Sequence, residues 1–151
     1  MKAPAVPRTQ QQRKEAYGKE ITVMYLRRSN KDKRDQERPR TWRAAIYLSE
    51  RDSRVKANIG NELSIEVQRG LCRHQAKKLQ AEVVGEFIDT RLYSLLWPQL
   101  HQALELAQEE RLDYLIISSL DRLPSDRENA FEVAWRLGHA GTVPMPVGED
   151  W

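Results

Sequence analysis

A carboxylate and a guanidinium stand side by side in this chain, at Asp121 and Arg122, shortly after the run Tyr114–Ser118. Such a pair offers a hydrogen-bond acceptor next to a fixed positive charge. The preceding run is a continuous apolar stretch of β-forming residues, typical of a strand that is covered on both faces. Because parallel sheets keep their sites at the carboxyl ends of their strands, the pair is a candidate functional site.

Simpler structural roles compete with chemistry at these positions. Asp121 and Arg122 could form a salt-bridged loop, which adds little stability when it is exposed. Ser125 and Glu128 have the Ser-x-x-Glu spacing of a capping box, which predicts a helix start. Trp97 precedes Pro98, and its position favours a core or staple residue over a platform for a nucleic-acid base.

The histidines and the cysteine carry no sign of a metal or redox site. His74, His101 and His139 fall on or beside three different predicted helices without ligand-like spacing, so no metal ion or other cofactor is predicted. Cys72 is the only cysteine and cannot form an internal disulfide. It falls among apolar positions of a predicted helix, which favours a small buried side chain.

Length and composition indicate an ordinary globular protein. The chain has 151 residues, of which 40% are hydrophobic and 31% are charged, enough for one domain with its own core. No apolar run approaches the length needed to span a membrane, and the first twenty residues lack the apolar centre of a signal peptide. We therefore expect a cytoplasmic protein with no membrane partner.

The charge is divided unevenly along the chain. Residues 1–43 hold 13 Lys and Arg against 5 Asp and Glu, whereas residues 44–151 hold 12 against 17. The sequence thus predicts a basic, partly disordered arm at 1–43 and an α/β domain at 44–151. Basic arms attract DNA through its phosphates without reading its sequence. The candidate contacts are Arg27, Arg28, Lys31, Lys33 and Arg34, although a solvated linker explains them as well.

Hydrophobic periodicity from residue 44 onward predicts an alternation of strands and helices. The predicted strands are 44–48, 83–88, 114–118 and an edge or irregular strand at 142–147, and the predicted helices are about 64–79, from Pro98 onward and about 125–137. Short connections between such elements imply a mostly parallel four-stranded sheet with helices on both faces, of the small flavodoxin-like type. A further β-like run, Glu20–Leu26, lies in the arm.

Several segments resemble the serine recombinases, the resolvase and invertase family that cuts and rejoins DNA. Ser119-Leu-Asp-Arg-Leu123 is similar to the signature of the family's third strand. The other matching segments, in order, are Arg43–Leu48, Ser64–Gln68, Glu82–Asp89 and Trp97-Pro98. The resemblance covers roughly residues 43–147 and implies a resolvase-like fold. It also implies a serine nucleophile that forms a phosphoserine linkage to DNA, surrounded by several arginines, with no metal.

The family pattern Tyr-x-Arg-x-Ser at the end of the first strand can be aligned in two ways. The downstream segment Tyr47–Arg51 places Ser49 at the arginine position and Arg51 at the nucleophile position. This alignment has a family-like distance to the following helix and is therefore favoured. In this alignment Trp97 and Ser125 stand where the family has two further arginines. Of the family's site residues, only Asp121 and Arg122 remain.

The upstream segment Tyr25–Ser29 satisfies the pattern fully, with Arg27 in the guanidinium role and Ser29 as the nucleophile. Against it stands the long connection from Ser29 to Ser64, which contains another strand-like element. The two alignments predict different residues facing Asp121 and Arg122.

Three functions follow from the resemblance and the charge pattern. The favoured one is a catalytically impaired domain of DNA recombination or a mobile element, acting by association with DNA or protein. The second is an active recombinase that uses Ser29, and the third is a protein-interaction module without a role on DNA. A homo-oligomer or a recombinase partner is also expected. Family members continue into a dimerising helix and a DNA-binding domain, whereas this sequence ends at Trp151, so specific DNA binding is expected to need a partner or another region.

Overall fold

The computed structural model describes residues 25, 41–50, 63–90 and 96–147. In these residues the four strands are β1 (Trp42–Ser49), β2 (Ala81–Asp89), β3 (Tyr114–Ile117) and β4 (Val143–Pro146), and the helices are α1 (Ile65–Leu79), α2 (Pro98–Glu110) and α3 (Arg127–Ala140). A short 3-10 turn, Leu120–Arg122, follows β3. The strand order is β2-β1-β3-β4, and every pair is parallel. The predicted α/β fold with a parallel four-stranded sheet is confirmed.

Strand β1 lies at the centre of the sheet because both of its faces are apolar. Residues 44–48 are fully buried. Ala44, Ile46 and Leu48 pack with Cys72 and Ala76 of α1 on one face. On the other face, Ala45 and Tyr47 pack against apolar residues of α2 and α3. The continuous apolar run that predicted a doubly covered strand therefore has helices on both sides.

Strand β4 tolerates two prolines because of its position at the edge. The Val143 and Val147 N–H groups donate to the Asp113 and Ile117 carbonyls beside β3. Since successive backbone groups of a strand alternate in direction, the nitrogens of Pro144 and Pro146 face away from β3. This confirms the expectation of an edge strand.

The structure bears out one predicted helix start and corrects another. Ser64 caps α1, and its Oγ accepts a hydrogen bond of 3.2 Å from the Val67 N–H. The predicted cap of α3 at Ser125 is wrong by one residue, because Asp126 accepts from the Asn129 N–H at 3.2 Å. An ionised carboxylate is a stronger acceptor for helix N–H groups than a hydroxyl, which explains the later start.

The upstream β-like run also requires a correction at Tyr25, which lies in a helix and not in a strand. Its side chain packs with residues of α2 and α3 in the core. The first-strand position of the sheet is filled by Trp42–Ser49, the segment of the downstream alignment. The other residues of the run lie outside the described part of the chain.

Candidate active site at the carboxyl edge of the sheet

Arg122 lies at the point where the carboxyl ends of β1 and β3 meet. Its Nη1 donates to the Ser49 carbonyl at 3.2 Å, and its Nε donates to Ser118 Oγ at 3.3 Å. The residue is only 6% exposed. The 3-10 turn after β3 aims the side chain inward, so the guanidinium joins the two strand ends.

Asp121 points in a different direction from its neighbour. The residue is exposed, and its carboxylate accepts a hydrogen bond from the Ser119 hydroxyl. The two residues that sequence reasoning paired thus have different surroundings. Arg122 is directed into the sheet, whereas Asp121 faces solvent.

Ser49, at the family's arginine position in the downstream alignment, is held by a buried amide. Gln68 Nε2 donates to the Ser49 carbonyl at 2.8 Å, and the Ser49 N–H donates to Gln68 Oε1 at 3.2 Å. Gln68 Nε2 also donates to the Leu63 carbonyl at 3.0 Å. Gln68 is fully buried and Ser49 is 8% exposed. The end of β1 is therefore fixed by α1 as well as by Arg122.

A buried carboxylate, Asp89, organises the neighbouring strand end. The Tyr47 hydroxyl donates to its Oδ2 at 2.7 Å. The backbone N–H groups of Gln99 and Leu100, at the start of α2, donate to the same carboxylate at 2.9 and 3.1 Å. Asp89 thus satisfies N–H groups that a helix start leaves without partners. Burial, together with the hydrogen bond to Asp89, raises the pKa of the Tyr47 phenol, so Tyr47 remains a donor at neutral pH.

Trp97 and Ser125 occupy the remaining arginine positions of the family pattern. Trp97 adopts a left-handed backbone conformation (φ 43°) just before α2 and is half-buried against the core. This agrees with the structural role weighed for it in the sequence. Ser125 is exposed beside the Asp126 cap. Neither side chain supplies a positive charge to the edge of the sheet.

Several candidate residues lie outside the described residues: Arg27, Arg28, Ser29, Lys31, Lys33, Arg34 and Arg51. Sequence reasoning gave no role to Gln68 and Asp89, although both fall within the matching segments. The signal for Gln68 is its position on the buried face of α1, because a polar side chain there needs hydrogen-bond partners. An acidic residue at a strand end ahead of a helix start is the corresponding signal for Asp89.

The buried thiol of Cys72 confirms a small core residue. Cys72 is fully buried in α1, and burial raises its pKa to about 12. In residues 25, 41–50, 63–90 and 96–147, no three His, Cys, Asp or Glu side chains are grouped to hold a metal ion. No helix in these ranges combines the length and apolar character needed to cross a bilayer.

The topology and the strand-end site define a small α/β domain whose chemistry would take place at the carboxyl edge of a parallel sheet. The family model for the resolvase N-terminal domain matches residues 46–143, more than half of the chain. The chain belongs to this family and is a serine-recombinase domain.

A solved structure supports the same fold. The chain is similar to the crystal structure of the C-terminal catalytic domain of ISC1926 TnpA, an IS607-like serine recombinase, with a TM-score of 0.53. The two are 20% identical in sequence, and the match covers 70% of each chain. No curated protein matches the chain significantly in sequence.

Proposed function

We propose that this serine-recombinase domain acts in DNA recombination by associating with DNA or with another recombinase subunit, and that it does not cleave strands. Membership of the family supports a role in recombination. We also propose that the protein is cytoplasmic and that the DNA belongs to a mobile element. The residues at the strand ends support the lack of cleavage.

Phosphoryl transfer needs an attacking group and fixed positive charge on the phosphate oxygens, because negative charge gathers there in the transition state. In the downstream alignment these positions hold Arg51, Ser49, Trp97 and Ser125. Arginine at the nucleophile position cannot attack phosphorus. Serine and tryptophan at the cationic positions cannot neutralise the developing charge.

The observation that carries the proposal is the use of Arg122. A guanidinium that stabilises a phosphate must present its N–H groups to that phosphate. Arg122 instead donates to the Ser49 carbonyl and to Ser118 Oγ and is 6% exposed. Its hydrogen bonds connect the carboxyl ends of β1 and β3, which supports a structural role.

A second candidate is an active recombinase that uses Ser29, and the position of Tyr25 favours it. The Tyr25 hydroxyl donates to the Pro124 carbonyl at 2.8 Å. Pro124 follows Arg122 by two residues, so the Tyr25 side chain lies beside the loop that carries Arg122. Four residues span at most about 14 Å, which keeps Ser29 within reach of the same edge.

Trapping of a covalent adduct separates the two candidates. The full chain would be incubated with supercoiled plasmid, quenched with denaturant and examined for DNA that carries protein. We expect salt-sensitive binding and no adduct, either in the wild type or in Ser29→Ala. An adduct that disappears in Ser29→Ala but persists in Ser125→Ala, an exposed serine at the same edge, would establish the second candidate and refute the first. An absence of DNA binding would instead favour a protein-interaction module.

A further inference from the structure

Two large aromatic side chains are exposed on the outer face of α3. Phe131 is 59% exposed and Trp135 is 60% exposed, although the inner face of the same helix is buried in the core. They are four positions apart, so the helical repeat places one ring above the other. The Trp135 ring also stacks on the His139 ring, with 5.1 Å between the centroids. We call the Phe131 and Trp135 pair the α3 stripe.

The α3 stripe differs from the other exposed apolar side chains in the part of the chain that the structure describes. Those side chains are aliphatic and belong to Leu63, Val67, Leu71, Val83 and Leu96. Exposed apolar residues that stand singly are common on protein surfaces, but adjacent exposed rings form a patch. Phe and Trp are enriched at the centres of protein interfaces, where they contribute much of the binding energy. The α3 stripe therefore has the character of a protein-binding surface.

The polar residues beside the α3 stripe are divided between its two ends. Glu128 and Glu132 are exposed near the start of α3, whereas Arg136 and His139 lie near its end. Helical spacing places all four on the same flank of the stripe. In an antiparallel pair of α3 helices, the acidic end of one helix meets the basic end of the other. A parallel pair would bring the two acidic ends together, so the pattern complements itself in one orientation only.

The spacing of these residues also fixes the register of an antiparallel pair. When Phe131 lies against Trp135 of a second copy, Glu128 comes within one position of His139 of that copy, because these two residues lie three and four positions beyond the rings. The carboxylate can then accept a hydrogen bond from the imidazole. The aromatic contact and the polar contact therefore form in the same register.

The opposite flank of the stripe leaves room for close approach. Ala134 and Gly138 lie there, and a β-carbon added at Gly138 would meet no atom within 4 Å. In the same register, Phe131 of the second copy lies over Ala134. Arg127 of the second copy lies beside Gly138, where its aliphatic stem can cover the open surface. Both flanks of α3 are thus compatible with an antiparallel copy of the same helix.

We propose that the α3 stripe is an interface between two copies of this chain, whose α3 helices pack antiparallel with Phe131 of each copy against Trp135 of the other. The inference rests on the proposed association with another recombinase subunit, and it identifies that subunit as a second copy and names the surface. A two-fold axis repeats every contact, so the interface contains four aromatic rings and two pairs of Glu128 with His139. Offset or edge-to-face packing of the rings stabilises such a cluster.

Sedimentation of the full chain without DNA tests the surface. We expect a reversible dimer whose dissociation constant rises at least about tenfold in Trp135→Ala and in Phe131→Ala. Both side chains are more than half exposed, so the fold should persist, which circular dichroism would verify. Leu71→Ala removes a partly exposed apolar side chain from α1, on the other face of the sheet, and serves as the matched control. It should leave the dissociation constant unchanged.

A charge exchange tests the antiparallel register. Glu128→Lys should weaken the dimer several-fold, because the carboxylate that faces His139 of the second copy is replaced by a cation. His139→Glu should also weaken it, because two carboxylates then face each other. The two substitutions combined in one chain should restore the dissociation constant to near the wild-type value. A double variant as weak as the single variants would refute the register.

The outcomes separate this inference from the proposed function. A wild-type chain that remains monomeric while it binds DNA would overturn the inference alone, and would mean that another segment or a different partner covers the α3 stripe. A dimer that is insensitive to both ring substitutions would also overturn it. A covalent adduct in the trapping experiment would refute the absence of cleavage and leave the interface standing. If Trp135→Ala does not fold, Phe131→Ala and the charge exchange decide.

Discussion

The Tyr47 hydroxyl donates a hydrogen bond of 2.7 Å to Asp89 Oδ2, and this links the carboxyl ends of β1 and β2 inside the core. The Asp89 carboxylate also accepts the N–H groups of Gln99 and Leu100. Two strands and one helix therefore depend on a single buried side chain. The geometry of the candidate site rests on this group as well as on the sheet.

We predict that Asp89→Ala lowers the free energy of unfolding by about 3 kcal/mol, because it leaves a buried hydroxyl and two helix N–H groups without their acceptor. Tyr47→Phe is expected to cost about 1 kcal/mol. Urea unfolding of both single variants and the double variant measures their coupling. Additive effects would contradict a shared hydrogen bond, which should give a coupling of at least about 0.5 kcal/mol.

The inward orientation of Arg122 predicts a structural cost for its removal. Arg122→Gln should lower the free energy of unfolding by about 2 kcal/mol, because the Ser49 carbonyl and Ser118 Oγ lose a charged donor. Lys77→Gln, at an exposed position in the last turn of α1, is the matched control for loss of a surface cation and should stay within about 0.5 kcal/mol of wild type. Equal stability of the two variants would show that the guanidinium is not needed for the fold.

Substitution of Gln68 is expected to lower the stability of the fold as much as substitution of Arg122. Gln68→Leu keeps a side chain of similar size but leaves the Ser49 N–H without its acceptor, so stability should fall by about 2 kcal/mol. Gln102→Leu, at an exposed position of α2, should change stability by less than about 0.5 kcal/mol. Denaturant unfolding of both variants provides the measurement. A stable Gln68→Leu would mean that the end of β1 is held without this amide.

The ion pairs of Glu86 are expected to stabilise the fold at neutral pH and to lose this effect at acid pH. The Arg73 Nε at 2.6 Å and the Arg69 Nε at 3.2 Å lower the pKa of this carboxyl below its ordinary value of 4.5. A lowered folded-state pKa stabilises the fold above the unfolded-state pKa, and this stabilisation is lost as pH falls through the folded-state pKa. Glu86→Gln should therefore be less stable than wild type at neutral pH.

The difference in stability between Glu86→Gln and wild type should shrink as the pH falls from neutral through the lowered folded-state pKa of Glu86, because the carboxyl then becomes protonated in the folded as well as the unfolded state. Urea midpoints measured across this range provide the test. Glu82→Gln, an exposed carboxyl on the same strand, serves as the control. A difference that does not change with pH would contradict the role of the two arginines. Added salt should also reduce the difference in stability between Glu86→Gln and wild type, because Glu86 and the two arginines are partly exposed.

The order of the elements could be predicted because local patterns and tertiary packing agree. Tyr114–Ile117 and the centre of β1 are apolar on both faces, and each needs a helix on either side. Ser64 is followed by the amphipathic pattern of α1, so its cap was evident. These features depend on residues that are close together in sequence.

The site could not be predicted to the same depth, because it depends on contacts between distant residues. Nothing near Arg122 in sequence shows that its guanidinium reaches Ser49, 73 positions away. At the start of α3, the adjacent Ser125 and Asp126 could both cap the helix, and the choice depends on the strength of the acceptor. The helical state of Tyr25 and its packing against α2 and α3 were likewise not visible in the β-like pattern around it.

The prolines of β4 determine at which edge of the sheet a further strand can be added. Pro144 and Pro146 remove the two amide donors that a strand added beyond β4 would require. In the part of the chain described by the structure, this leaves β2 as the margin whose backbone can accept an incoming strand. Fibril-like self-addition needs two compatible margins, so the two prolines protect this domain from open-ended stacking.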